Sequence, residues 1–115
     1  MLPKAQRVHQ DQDIKRLIQT GKTFFLPQLT IKYAINKDNL TKVGFIVSTK
    51  VDKSSVVRHR LTRHLREASR VLLKDLKPGY SLLIIAKKSA LALSFQELLG
   101  QLIFAFSQMR IYNKK

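Results

Sequence analysis

Residues 80–86 read YSLLIIA. Leu82 to Ala86 is a run of five apolar residues, and it carries no polar alternation. It sits between Lys77-Pro78-Gly79 and Lys87-Lys88 and is far too short to span a bilayer. Such a run reads as a central strand buried on both faces. The elements on either side of it should therefore build a sheet with helices packed on it.

Upstream, residues 56–73 read VVRHRLTRHLREASRVLL, with five arginines and two histidines in eighteen residues. At about 100° per residue, Val57, Leu61, Leu65, Ala68 and Leu72 share one arc, enough to dock a helix on a core. His59, Arg63, Arg66 and Arg70 step by four, three and four along a second face. Arg58 borders the apolar arc, and Arg60 with His64 lies towards its other side. Like charges at these spacings destabilise an isolated helix by about 0.2–0.5 kcal/mol per pair, and only Glu67 offers relief within it. A face that only needs to be solvated has no use for a single sign of charge. A face that binds a polyanion does. Ser54 or Ser55 can cap this helix, and Lys77-Pro78-Gly79 ends the region.

Further upstream, LTIKYAI (29–35) alternates as a half-buried strand, with Leu29, Ile31, Tyr33 and Ile35 on one side. Asn36-Lys37-Asp38-Asn39 supplies turn chemistry, and TKVGFIVS (41–48) is expected to return beside it as a hairpin. A first helix capped by Asp11 or Asp13 should run to about Thr20, with Ile14, Leu17 and Ile18 on one face and Gly21 as its stop. There is room for one more short strand near residues 23–26. Downstream, Ser94 and Glu97 form a capping box. It opens a helix to about Gln108 whose apolar face is Phe95, Leu98, Leu99, Leu102, Ile103 and Phe106. IYNKK (111–115) reads as a short, frayed basic tail. The expected class is α+β: a small mixed sheet with helices packed on it, in the order α-β-β-(β)-α-β-α.

The 115 residues are read as one domain, 1–115, whose 44% hydrophobic content argues against disorder. A net charge of +15 is costly in isolation, so nucleic acid is the leading partner. With no cysteine there is neither a disulfide framework nor a thiolate metal site. MLPKAQRVHQDQD lacks the apolar segment of a signal peptide, and the basic helix lacks the aromatics of a membrane-surface helix. These features point to a cytoplasmic protein with no membrane partner. His59 and His64 lie about 140° apart on the helix and cannot share an ion. Asp11-Gln12-Asp13 is better explained by helix capping than by catalysis. The four glycines are isolated, so there is no phosphate loop. The chain offers charge and surface, and no catalytic residue is assigned.

RHRLTRHLRE (58–67) resembles the signature helix of the protein subunit of bacterial ribonuclease P. LPKAQRV near the start, Asp13, Gly21-Lys22, VGFIVSTKV, LKPGYSLLIIAKKSA and SFQELL follow the same family's order, so the resemblance covers nearly the whole chain. His59 stands where the family usually has asparagine, and Thr62 where it usually has lysine. His64 falls where arginine or an apolar residue is common. Ile14 and Ile18 occupy positions where phenylalanines typically help line a cleft for the leader of precursor tRNA. Here they are either groove or core.

The resemblance implies an accessory subunit of an endoribonuclease. A large RNA carries the active site and its Mg²⁺ ions, which the RNA and substrate hold, and removes the 5′ leader from precursor tRNA. It also implies a left-handed βαβ crossover through the basic helix. The expected partners are ribonuclease P RNA and precursor tRNA, with no protein partner implied. The expected RNA-binding residues are Lys50, Lys53, Arg58, His59, Arg60, Arg63, Arg66 and Arg70. The expected leader cleft is Ile14, Ile18, Gln28, Thr30 and Lys32, with Lys32 foremost. The second reading is a non-catalytic RNA-binding module of ribosomal-protein type. A protein-only nuclease comes third, since it lacks the carboxylates.

Overall fold

Four strands, β1 (Lys22–Phe25), β2 (Leu29–Ile35), β3 (Lys42–Ile46) and β4 (Tyr80–Ala86), form one mixed sheet in the order β1-β2-β4-β3. They belong to a computed structural model that describes residues 17–19, 21–36 and 40–112. The expected cap at Asp11 or Asp13, Ile14, turn residues 37–39 and tail residues 113–115 lie outside those residues. Two long helices, α1 (Ser55–Leu73) and α2 (Phe95–Gln108), pack on the sheet. A short 3₁₀ turn, Lys88–Ala92, leads from β4 towards α2.

β4 is interior, as its composition requires. Leu82, Leu83 and Ile84 are all fully buried. Leu82 and Ile84 share a core with Leu61 and Leu65 of α1 and Leu98 and Leu102 of α2. Leu83 faces the other way and meets Leu17, with Ala34, Ile46 and Ile85 packed around the pair. Truncating a leucine buried this deeply, such as Leu65, costs about 2–5 kcal/mol.

The expected hairpin between residues 29–35 and 41–48 does not form. β4 lies between them, antiparallel to β2 with Ile31 opposite Ile84, and parallel to β3 with Val43 opposite Leu82. The hairpin partner of β2 is β1, where Phe24 stands opposite Ile31. An all-apolar strand placed at an edge would leave one side of its ladder and its side chains in water, so it takes the interior position. Polar ties fix that choice. At the end of β2, Asn36 donates its backbone N–H to Gly79 O at 2.7 Å and its side-chain amide to Ser81 Oγ at 3.1 Å. At the start of β3, Thr41 Oγ1 donates to Lys77 O and accepts from Tyr80 N. Both strands are thus sewn to the beginning of β4. Because β3 and β4 are parallel, a crossover must join them, and α1 is that crossover.

Local signals at the helix ends hold. Ser54 Oγ accepts from Val57 N, and Ser94 and Glu97 form the reciprocal capping box. Gly21 ends the helical residues 17–19: a Cβ there would lie 2.5 Å from Leu17 O, so no side chain fits. The chain end departs from expectation, because Ile111 is fully buried and Tyr112 bridges Leu76. α2 stops in a Schellman motif. Arg110 adopts φ 62°, its N–H donates to Ser107 O, and Ile111 N–H donates to Phe106 O. The apolar Ile111 then packs into the core that holds Phe106. Among the described residues, no helix is long and apolar enough to cross a membrane.

Candidate nucleic-acid interface

α1 turns Leu61, Leu65, Ala68, Ser69 and Leu72 inward, and the opposite arc must face solvent. His59, Arg60, Arg63 and Arg70 are exposed there, while Arg58 and Arg66 are half-buried. His59, Thr62, Arg63 and Arg66 together line a shallow notch of about 290 Å³. Thr62 donates its hydroxyl to Arg58 O at 2.9 Å, which turns it back onto the helix and leaves the notch to the longer cationic side chains. The buried Nε atoms of Arg58 and Arg66 have no hydrogen-bond partner among the described residues. Packing buries these two Nε atoms without an acceptor among the described residues. The planar fork of a guanidinium matches a phosphate bidentately.

Arg70 differs from its neighbours. Its Nε donates to Glu67 Oε1 at 3.1 Å and its Nη2 donates to the same oxygen. That hydrogen bond from Arg70 holds the Glu67 carboxyl below its ordinary pKa, and the same bond raises Arg70. Arg70 thus carries a local counter-ion on the helix. Arg60 lies on the far flank, and His64 meets the Phe95 ring edge-on at 6.3 Å. His59 and His64 serve different surfaces. Lys50 and Lys53 are exposed in the turn that leads into α1, and Ser54 N there is held by Asp52 Oδ1 at 2.7 Å.

The second surface is the face of the sheet turned away from α1 and α2. Alternation along β2 puts Thr30 and Lys32 on that face, because Leu29 and Ile31 point into the core. Lys32 Nζ donates to Thr23 Oγ1 at 3.0 Å, which fixes the ammonium across the β1–β2 pair. Leu17 is only 2% exposed and seats its helical turn on this face, whereas Ile18 is 46% exposed. Of the two alternatives for Ile18, core is the one the packing rejects.

Gln28 is not brought to this surface. Its Oε1 accepts from Gln101 Nε2 of α2 at 2.5 Å, so it bridges to the helical side. One residue on the open face escaped the sequence reading: Phe25, 73% exposed and opposite Thr30. The signal was the adjacent pair Phe24-Phe25, since a strand must send two successive side chains to opposite faces.

Among the described residues, no group of three or more His, Cys, Asp or Glu stands together as a metal site. The arrangement offers two distinct surfaces, a row of cations along α1 and a sheet face that carries Lys32.

The family model for ribonuclease P matches residues 2–110. The chain is similar to the ribonuclease P protein component of a Picosynechococcus species, 30% identical over 112 residues, covering 97% of each chain. It is also similar to that of Clostridium botulinum, 31% identical over 111 residues, covering 96% of this chain and 99% of the relative. Among solved structures, the ribonuclease P protein of Staphylococcus aureus superposes with a TM-score of 0.85 at 22% identity, over 96% of this chain and all (100%) of that one. That of Thermotoga maritima gives 0.79 at 19% identity, over 89% and 96%. At such identities the structural likeness speaks for the fold alone.

Proposed function

The chain belongs to the ribonuclease P protein family, and from that premise we propose that it binds the catalytic ribonuclease P RNA through α1 and the 5′ leader of precursor tRNA through the open sheet face. The observation that carries this reading is the separation of two cationic surfaces of different character. α1 offers a row of guanidinium groups with a notch at His59, Arg63 and Arg66, suited to the closely spaced phosphates of folded RNA. The sheet face offers the ammonium of Lys32, held on Thr23, beside hydroxyl and apolar side chains. That combination suits an unpaired strand, which presents one phosphate and one base at a time.

The repulsion within α1 is relieved when RNA phosphates replace solvent counter-ions around it. Neutralising about six to ten phosphates would lower affinity about 10³–10⁵-fold between 50 and 200 mM salt. The protein contributes charge and positioning, and the RNA contributes the chemistry. Mg²⁺ belongs to the RNA and substrate in this reading. The substrate is precursor tRNA, and the step served is hydrolytic release of its 5′ leader.

The decisive experiment adds the purified protein to a bacterial ribonuclease P RNA at low Mg²⁺ and follows precursor-tRNA cleavage. The expected result is cleavage that neither component supports alone under those conditions. Tight RNA binding without restored cleavage would favour the ribosomal-protein type of module instead. Cleavage by the protein alone would overturn the division of labour proposed here.

A further inference from the structure

The face of the sheet that carries Lys32 also carries an aromatic ring that the core does not use. Phe24 turns to the helical side, where its ring meets Phe104 edge-on at 6.5 Å. Strand alternation puts Phe25 on the opposite face, where it is 73% exposed. There Phe25 stands opposite Thr30, and Thr23 stands opposite Lys32. Phe25 and Lys32 are therefore diagonal neighbours, about 7–8 Å apart across the pair.

A single exposed apolar side chain is ordinary and needs no explanation by itself. Phe25 is set apart by its surroundings. Among the large apolar side chains exposed in the described residues, Phe25 and Phe104 are the aromatic ones, and Phe104 lies on α2. Phe25 alone shares a face with the fixed ammonium of Lys32. It also sits on a paired strand, whose backbone the β1–β2 ladder holds, and not on a loop. Ile18 on the helical turn that covers this face adds apolar surface but no π-face. An exposed ring on a paired strand beside a fixed cation on its partner strand can take one nucleotide of an unpaired strand, base on ring and phosphate on ammonium.

We propose that Phe25 is a stacking platform for one base of the 5′ leader, with Lys32 taking the adjoining phosphate. The proposal rests on the leader-binding reading above and adds a residue to it. Because every base has a π-face, the platform tolerates any base at that position. It acts on the leader alone and not on the tRNA body.

The test compares wild type, Phe25→Leu and Phe25→Trp, each assembled with ribonuclease P RNA. The measurements are Kd for precursor tRNA, Kd for mature tRNA and melting temperature. Phe25→Leu should weaken precursor binding by about 5- to 150-fold, the range base stacking spans. Mature tRNA affinity and melting should stay unchanged, and Phe25→Trp should restore precursor binding. An abasic scan of the leader should find one position whose missing base weakens wild type but not Phe25→Leu. Wild-type assemblies that bind precursor and mature tRNA equally would overturn the leader reading, and the platform with it. Discrimination in wild type that Phe25→Leu leaves intact, or an abasic scan with no such position, would overturn the platform alone.

Discussion

Arg63→Ala separates an arginine that binds RNA from one that holds the helix. The side chain is exposed and lines the notch with His59 and Arg66. Within α1 it stands three residues from both Arg60 and Arg66, and four from Glu67. Removing it deletes two like-charge pairs and one opposite pair, each about 0.2–0.5 kcal/mol. The net change is a few tenths of a kcal/mol in favour of the helix, and alanine has the best helix propensity. The melting temperature should hold or rise slightly.

RNA affinity should fall, and its salt dependence should carry the signature. One phosphate contact contributes about 0.9 to the slope of log affinity against log salt. The deficit of the variant should therefore shrink by about 3- to 4-fold between 50 and 200 mM salt. Circular dichroism melts and RNA titrations at both salt concentrations read both quantities. A lower melting temperature with unchanged affinity would make Arg63 structural. An affinity loss with an unaltered salt slope would show that Arg63 contacts no phosphate.

Two further outcomes follow from the acidic residues. Glu67→Gln should tighten RNA binding and steepen its salt dependence, because Arg70 loses the counter-ion that now holds it; equal titration curves for variant and wild type would show that Arg70 stays off the RNA. Glu97 has its carboxyl pKa lowered by hydrogen bonds from Ser94, backbone first, so its contribution to stability is present above the ordinary glutamate range near 4.3 and is lost as pH falls through the lower folded value. Glu97→Gln keeps the capping geometry but not the charge, so thermal melts should separate variant from wild type at pH 7 and draw together as pH falls through the lowered folded value; a gap that does not narrow with falling pH would assign the effect to packing.

The helices were legible because their causes are local. A capping box at Ser94 and Glu97, a serine cap at Ser54 and an apolar arc through Leu61, Leu65, Ala68 and Leu72 each depend on residues within a few turns. The position of β4 was legible for a related reason, since five successive apolar residues in a strand give both of its faces an apolar character. Strand order was not. A turn signal at residues 36–39 argues for a hairpin only if nothing better competes for the edge of β2. The competitor arrives more than forty residues later, as β4 with Gly79 and Ser81 ready to receive Asn36. The tail misled for the same reason: Ile111 looks peripheral in sequence, but the Schellman stop at Arg110 turns it into the core.

The two surfaces differ in how far sequence could reach them. On α1 the helical period assigns every cation a direction, and the notch at His59, Arg63 and Arg66 follows from their spacing. Only the Glu67–Arg70 pairing modifies that picture. On the sheet, parity assigns faces only within a strand. It places Thr30 and Lys32 together correctly, but extending it one residue beyond β2 would place Gln28 beside them. The chain turns there: Leu26 N bonds Leu29 O, and Lys87 N bonds Gln28 O, so the Gln28 side chain is free to reach Gln101. The same turn closes the β1–β2 hairpin and sets the register that puts Phe25 opposite Thr30. One local bend thus removes an expected residue from the open face and delivers an unexpected ring to it. A substitution that shifted this register by one residue would exchange Phe24 and Phe25 between core and solvent. The ring pair Phe24–Phe104 and the Lys32–Thr23 bond would then be lost together, which ties the open face to the integrity of the core.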